Sequence, residues 1–151
     1  MKLSQVYTDP ELRRKGHRFR YSGDFHIVVT ALPNPEFSAF VRDRSRIVSI
    51  RGKSGDLDRE ALDEVTMEAV ATHVVMGWDG LEEDDGAVIP YSPSMALEIF
   101  RNPEGGDVYR AVQEEASDLS NFRAKVEEQD RGNSKRSSGG KSAGGTKRSD
   151  S

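Results

Sequence analysis

The four consecutive acids Glu82, Glu83, Asp84 and Asp85 form the chain's densest set of groups able to bind a metal or move a proton. A hard cation needs oxygen ligands at fixed intervals. An EF-hand loop takes them at positions one, three and five, with a glycine at six and a bidentate Glu at twelve. With Gly86 placed sixth, position one is Leu81 and position twelve is Ser92, so the first and last ligands are missing. Acids side by side in water also lack a neighbour that would move their proton affinity into a catalytic range. The run therefore reads as a solvated acidic turn.

The other reactive groups are no better arranged. His17, His26 and His73 form no HExxH or HxH pair, and the chain has no cysteine to complete a zinc set. His17 and His26 can meet across a hairpin, but two ligands without a third make a poor site. The fragment Gly52-Lys53-Ser54 would need a P-loop's first glycine at position 47, which is Ile47. The fragment Gly140-Lys141-Ser142 lies in a low-complexity tail with no strand before it. No GxSxG or SxxK nucleophile motif occurs. These residues predict no enzyme, no cofactor and no metal, and point instead to binding.

The elements that would carry a binding surface follow from pattern. A length of 151 residues allows one domain with a modest core. Phe19 and Tyr21, then Phe25, Ile27 and Val29, alternate around Ser22-Gly23-Asp24, which predicts a β-hairpin. Asn34 before Pro35 starts a helix with Phe37, Phe40 and Val41 on one face. The longest helix is expected from about Asp58 to Met76, with Leu62, Val65, Ala69 and Met76 on a wide apolar stripe. Ser92-Pro93 opens another helix, which Asn102-Pro103 stops. A last one, from about Asp107, carries Val108, Val112, Ala116, Leu119, Phe122 and Val126 at intervals of three or four. The expected fold is mainly α with a small N-terminal β-hairpin (α+β), a compact bundle of four to five helices.

Charge divides the chain. From Arg131 to Ser151 there are six Lys/Arg and one acid, a balance of +5, which leaves −9 for the preceding 130 residues against −4 overall. That Gly/Ser/Lys-rich tail has no aromatic or branched apolar residue, so it cannot offset an ordering cost of roughly 1–2 kcal/mol per residue. The expected organisation is a folded domain over 1–130 and a disordered tail over 131–151. The tail's cations could touch phosphates in a sequence-blind way, but stacking platforms are absent and the acidic body repels nucleic acid. No apolar run approaches the roughly 20 residues that span a bilayer, and "MKLSQVYTDP" has no signal-peptide h-region.

The stretch "GWDGLEEDDGAVIPYSPSMALEIF" sets the only tryptophan beside the acids, then Val88, Ile89 and Tyr91 before the helix. Trp78 and Tyr91, fixed between glycines and prolines, either anchor a partner or plug the core beneath a shaped loop. With "TDPELRRKG", the hairpin "HRFRYSGDFHIVV", "ALPNPEFSAFVR" and "EEASDLSNF" followed by "GNSKRSSGG", this stretch resembles, in order, the tail assembly chaperones of long-tailed, siphovirus-like bacteriophages. The segment "RRKGHRFRY" departs from that pattern by being more basic.

The resemblance implies a non-enzymatic role in virion morphogenesis. Such proteins bind the helical, hydrophobic tape measure protein, keep it soluble, help recruit tail tube subunits, work in the host cytoplasm and are absent from the mature virion. In many members a programmed frameshift makes a longer product, and by the resemblance this chain is the shorter one. Candidate partner-binding residues are Trp78, Tyr91, Phe100, Leu62, Val65, Val112, Leu119 and Phe122. The stripe from Leu62 to Met76 and the helix from Val108 to Val126 would supply an apolar groove for the client. Association with further copies of the chain is left open. The alternative expectation is a structural or connector protein of the phage virion.

Overall fold

A computed structural model describes residues 1–51 and 59–124. Two units emerge among these residues: Thr8–Phe122, and a second containing Met1–Tyr7, Arg123 and Ala124. In the second unit, Leu3–Gln5 forms a 3-10 turn, and Met1, Leu3, Val6 and Tyr7 are exposed. The expectation of a disordered 131–151 tail falls outside the described residues, as do Gly52-Lys53-Ser54, Asp58 and Val126.

The Thr8–Phe122 unit is mainly helical with a small sheet, as the patterns predict. Helix α1 (Pro10–Lys15) is capped by Asp9, whose side chain accepts from the Glu11 amide at 2.9 Å. It leads into the hairpin of β1 (His17–Ser22) and β2 (Phe25–Val29). The strands are antiparallel with His17 opposite Val29 and Arg20 opposite His26, and the register slips between Arg20 and Ser22. Helices α2 (Pro35–Arg51) and α3 (Arg59–His73) follow. Asn34 fixes the start of α2. Its Oδ1 accepts from the Phe37 amide at 2.9 Å, and its Nδ2 donates to Ala31 O and His73 O, both at 3.0 Å.

The structure corrects the ends of two helices and adds a strand. Helix α3 stops at His73, not Met76, and Val75–Asp79 forms a third strand, β3. It pairs antiparallel with β2, giving the order β1-β2-β3. A two-stranded hairpin is marginal alone. The open edge of β2 recruits the β-branched, glycine-containing run after α3, where helical propensity is weakest. Consequently α2, with 17 residues, is longer than α3, with 15. Helix α4 (Pro93–Arg101) keeps its predicted limits. Helix α5 (Gly106–Ser117) ends well before Val126. Asp118 breaks it by turning its side chain onto the Ser120 amide, and Leu119–Phe122 continues as a 3-10 turn.

The core lies between one face of the sheet and the helices. Ile27 and Val29 from β2, Val70 and Val74 from the α3 end, Phe100 from α4, and Val112, Ala116 and Phe122 meet in one cluster. Helix α2 packs on α3, α3 on α4, and α4 on α5, which lies against β1 and β2.

Candidate functional site

The loop between β3 and α4 closes on itself before it meets anything else. Ile89 N donates to Leu81 O at 2.9 Å, Glu83 N to Ala87 O at 2.8 Å and Gly86 N to Glu83 O at 2.9 Å. A bridge pairs Glu82 with Val88, and the Asp85 carboxylate accepts from the Ala87 amide at 2.9 Å. The acids thus sit at the tip of a miniature hairpin, exposed to water. Each of the four is free of any salt bridge among the described residues. Among those residues, no group of three or more His, Asp or Glu is placed to hold a metal ion.

Two aromatic residues fasten this loop to the body. Trp78 on β3 donates its indole N–H to Ile89 O at 2.9 Å. The Tyr91 hydroxyl lies 2.6 Å from Ala71 O and 3.0 Å from Val75 O, the carbonyls where α3 gives way to β3. A helix end leaves its last carbonyls without intrahelical donors, and the single phenol hydrogen is donated to Ala71 O, the nearer, with Val75 O of β3 the second acceptor in reach. Burial raises the Tyr91 phenol above its ordinary proton affinity. The rings form a row of edge contacts. Tyr21 meets Phe25 at 6.0 Å, Phe25 meets Trp78 at 5.9 Å, and Trp78 meets Tyr91 at 5.2 Å between centroids. Such pairs add to area burial. The row joins the hairpin tip to the foot of the loop.

Gly80 makes the turn out of β3 possible. Its φ is +84°, and a Cβ there would lie 1.9 Å from Asp24 O. Loop and hairpin therefore touch through backbone. Ser92 then caps α4 by accepting from the Met95 amide at 3.1 Å.

The candidate partner-binding residues fall into distinct places. Phe100, Val112 and Phe122 are buried together in the core, with Trp78, Tyr91 and Leu119 packed half-buried around them. Val65 is buried on α3 outside that cluster, and Leu62 is half-buried beside it. The stripe expected to line a client groove is therefore not an open groove in this fold. Ala69, Val70 and Val74 are fully covered, because the third strand and α4 close over them. Trp78 and Tyr91 pack half-buried against the core and bond the backbone at both ends of the loop.

Phe25 and Tyr21 are partners in this site that pattern alone assigned only to the hairpin. Arg18 is another, donating from Nη2 to Asp79 Oδ1 at 3.1 Å across the intervening strand. No signal in the sequence marks these contacts, since they depend on β3 joining the sheet.

No helix among the described residues is long and apolar enough to cross a membrane. No curated protein and no solved structure gives a significant match to the chain. A family model described as "YdaY prophage protein" matches residues 32–133, more than half of the chain, including the whole run from Trp78 to Phe100. The chain is thus of phage origin and belongs to the YdaY prophage protein family.

Proposed function

We propose that this phage-derived chain works by binding, as a tail assembly chaperone that keeps the tape measure protein soluble and helps recruit tail tube subunits. The observation that carries the reading is the form taken by the run from Trp78 to Phe100. Between β3 and α4 that run is a shaped loop with a water-exposed acidic tip, pinned by Trp78 and Tyr91. A pinned loop with an acidic tip offers a surface and a charged exterior, which is what a solubilising protein needs.

The client contacts are then surface groups. Among the described residues of the Thr8–Phe122 unit, the exposed large apolar side chains are Tyr21, Ile47, Met76 and Val88. With half-buried Leu62 and Leu119, they supply scattered, modest contacts. A long client met at many weak points is released readily when tube subunits arrive. The protein acts in the host cytoplasm, carries out no bond chemistry and leaves before the virion is complete.

Deleting the gene from an inducible prophage tests this. The expected lysate contains filled heads without tails, restored by supplying the chain, and mass spectrometry of purified particles lacks the chain. Normal tails without it would contradict the proposal. Stoichiometric presence in virions would favour a structural or connector role.

A further inference from the structure

The sheet has two edges, and they differ. β3 is short, its pairing with β2 shifts register between Val28 and Val29, and the loop it feeds folds back through the Trp78–Ile89 bond. β1 runs in straight register from His17 to Arg20. Outside its pairing with β2, no backbone bond of His17 to Ser22 is made to any described residue. In an antiparallel pair, alternate residues bond the neighbour and the others face outward. β1 therefore presents an unmet row of amides and carbonyls.

The charge on this edge is opposite to that of the body. β1 itself carries Arg18 and Arg20 and no acid, while Arg13, Arg14 and Lys15 precede it on α1. Arg14 pairs with Glu11, and Arg18 with Asp79. Arg20 has a carbonyl contact, to Gly23 O at 3.4 Å, and no carboxylate among the described residues. Arg18 and Arg20 share the sheet face turned away from the core, since Phe19 between them pairs with buried Ile27.

We propose that the β1 edge accepts an extended acidic segment of a partner protein as a fourth strand. Strand addition supplies main-chain hydrogen bonds, and alternate side chains supply selectivity. The repeat of a strand places carboxylates two residues apart beside Arg18 and Arg20. The intervening positions face the His17 and Phe19 side, so they favour apolar residues. The recognised pattern is acid-apolar-acid in an extended chain. Charged residues on an open edge also deter edge-to-edge aggregation, but that role needs no acidic partner and predicts no binding. The inference is independent of tape measure binding, because it concerns another surface and another chemistry.

The test uses the full chain and a roughly ten-residue peptide alternating Glu with Val, close to the length of a natural strand. Amide shifts in NMR spectra read the site. The expected result is saturable shifts confined to His17–Ser22 and their β2 neighbours, weakened by salt. Arg20→Glu should weaken binding roughly tenfold, the scale of one charge-assisted contact. A peptide with Lys in place of Glu should recover binding to Arg20→Glu, which a merely misfolded variant would not do. Absence of shifts at about 1 mM peptide overturns the proposal, as does binding elsewhere or binding indifferent to Arg20→Glu. Displacement of the peptide by a single-stranded DNA of about 20 nucleotides that binds the edge more tightly also overturns it, as does protection of the β1 amides by self-association without peptide.

Discussion

The indole nitrogen of Trp78 and the carbonyl oxygen of Ile89 are 2.9 Å apart, and this bond ties the last strand of the sheet to the far side of the acidic loop. Trp78→Phe keeps a ring against Phe25 and Tyr91 but leaves that carbonyl without its donor. The expected cost is about 1–2 kcal/mol in urea unfolding followed by circular dichroism. Trp78→Ala also loses the ring contacts and should cost about 3 kcal/mol, the low end for a large aromatic that is only partly buried. A loss below about 0.5 kcal/mol for both would mean the loop holds its shape without the indole.

Tyr91 makes the stability depend on alkaline pH. Burial raises its folded proton affinity above that of the unfolded phenol, and Tyr109 is raised for the same reason, with Asp63 adding to it. The protonated form is favoured by folding, so the contribution is whole below the ordinary phenol value of about 10 and is lost as pH rises through the folded value. Tyr91→Phe should flatten part of that alkaline decline. At pH 7 it should cost about 1–2 kcal/mol for the one hydroxyl donor lost to the Ala71 and Val75 carbonyls. Thermal melts of both proteins from pH 7 to 11 check this.

Two glycines with positive φ should respond differently to alanine. Gly86, at φ +93°, faces open space, so Gly86→Ala meets only the left-handed backbone penalty of about 1–2 kcal/mol. Gly80→Ala meets a similar penalty and also drives a methyl into Asp24 O, adding roughly 1–3 kcal/mol. Equal melting temperatures for the two variants would contradict the close approach of loop and hairpin.

Asn34→Ala tests how α2 is anchored. The variant removes the cap on Phe37 and both amide bonds, to Ala31 O and to His73 O at the end of α3. The expected loss is about 2 kcal/mol, at the upper end of N-cap substitutions because two carbonyls are stranded as well. Asn34→Asp retains the cap but not the donors and should fall between the two in denaturant unfolding.

Local chemistry made much of this fold legible. The alternation of Phe25, Ile27 and Val29 marked β2, and Asn34-Pro35 and Ser92-Pro93 marked the starts of α2 and α4. Asp9-Pro10 carries the same signature for α1 and could have been read in the same way. β3 was not legible. Val74, Val75 and Met76 continue a helical stripe as well as they begin a strand, and only pairing with β2 decides between them. The candidate site shared that difficulty. Trp78 and Tyr91 stood out by type and surroundings, but their partners Ile89 O, Ala71 O and Val75 O are backbone atoms that any residue could have supplied. Phe100, Val112 and Phe122 were read as partner-binding residues, and the structure places all three in the buried core.

The most direct test of the chaperone account is to express the tape measure protein of the same prophage with and without this chain and measure its soluble fraction. The account predicts that the tape measure protein sediments alone, stays in the supernatant when the chain is present, and is recovered with it by affinity capture. A tape measure protein equally soluble without the chain, or soluble with it but never bound to it, would contradict the account.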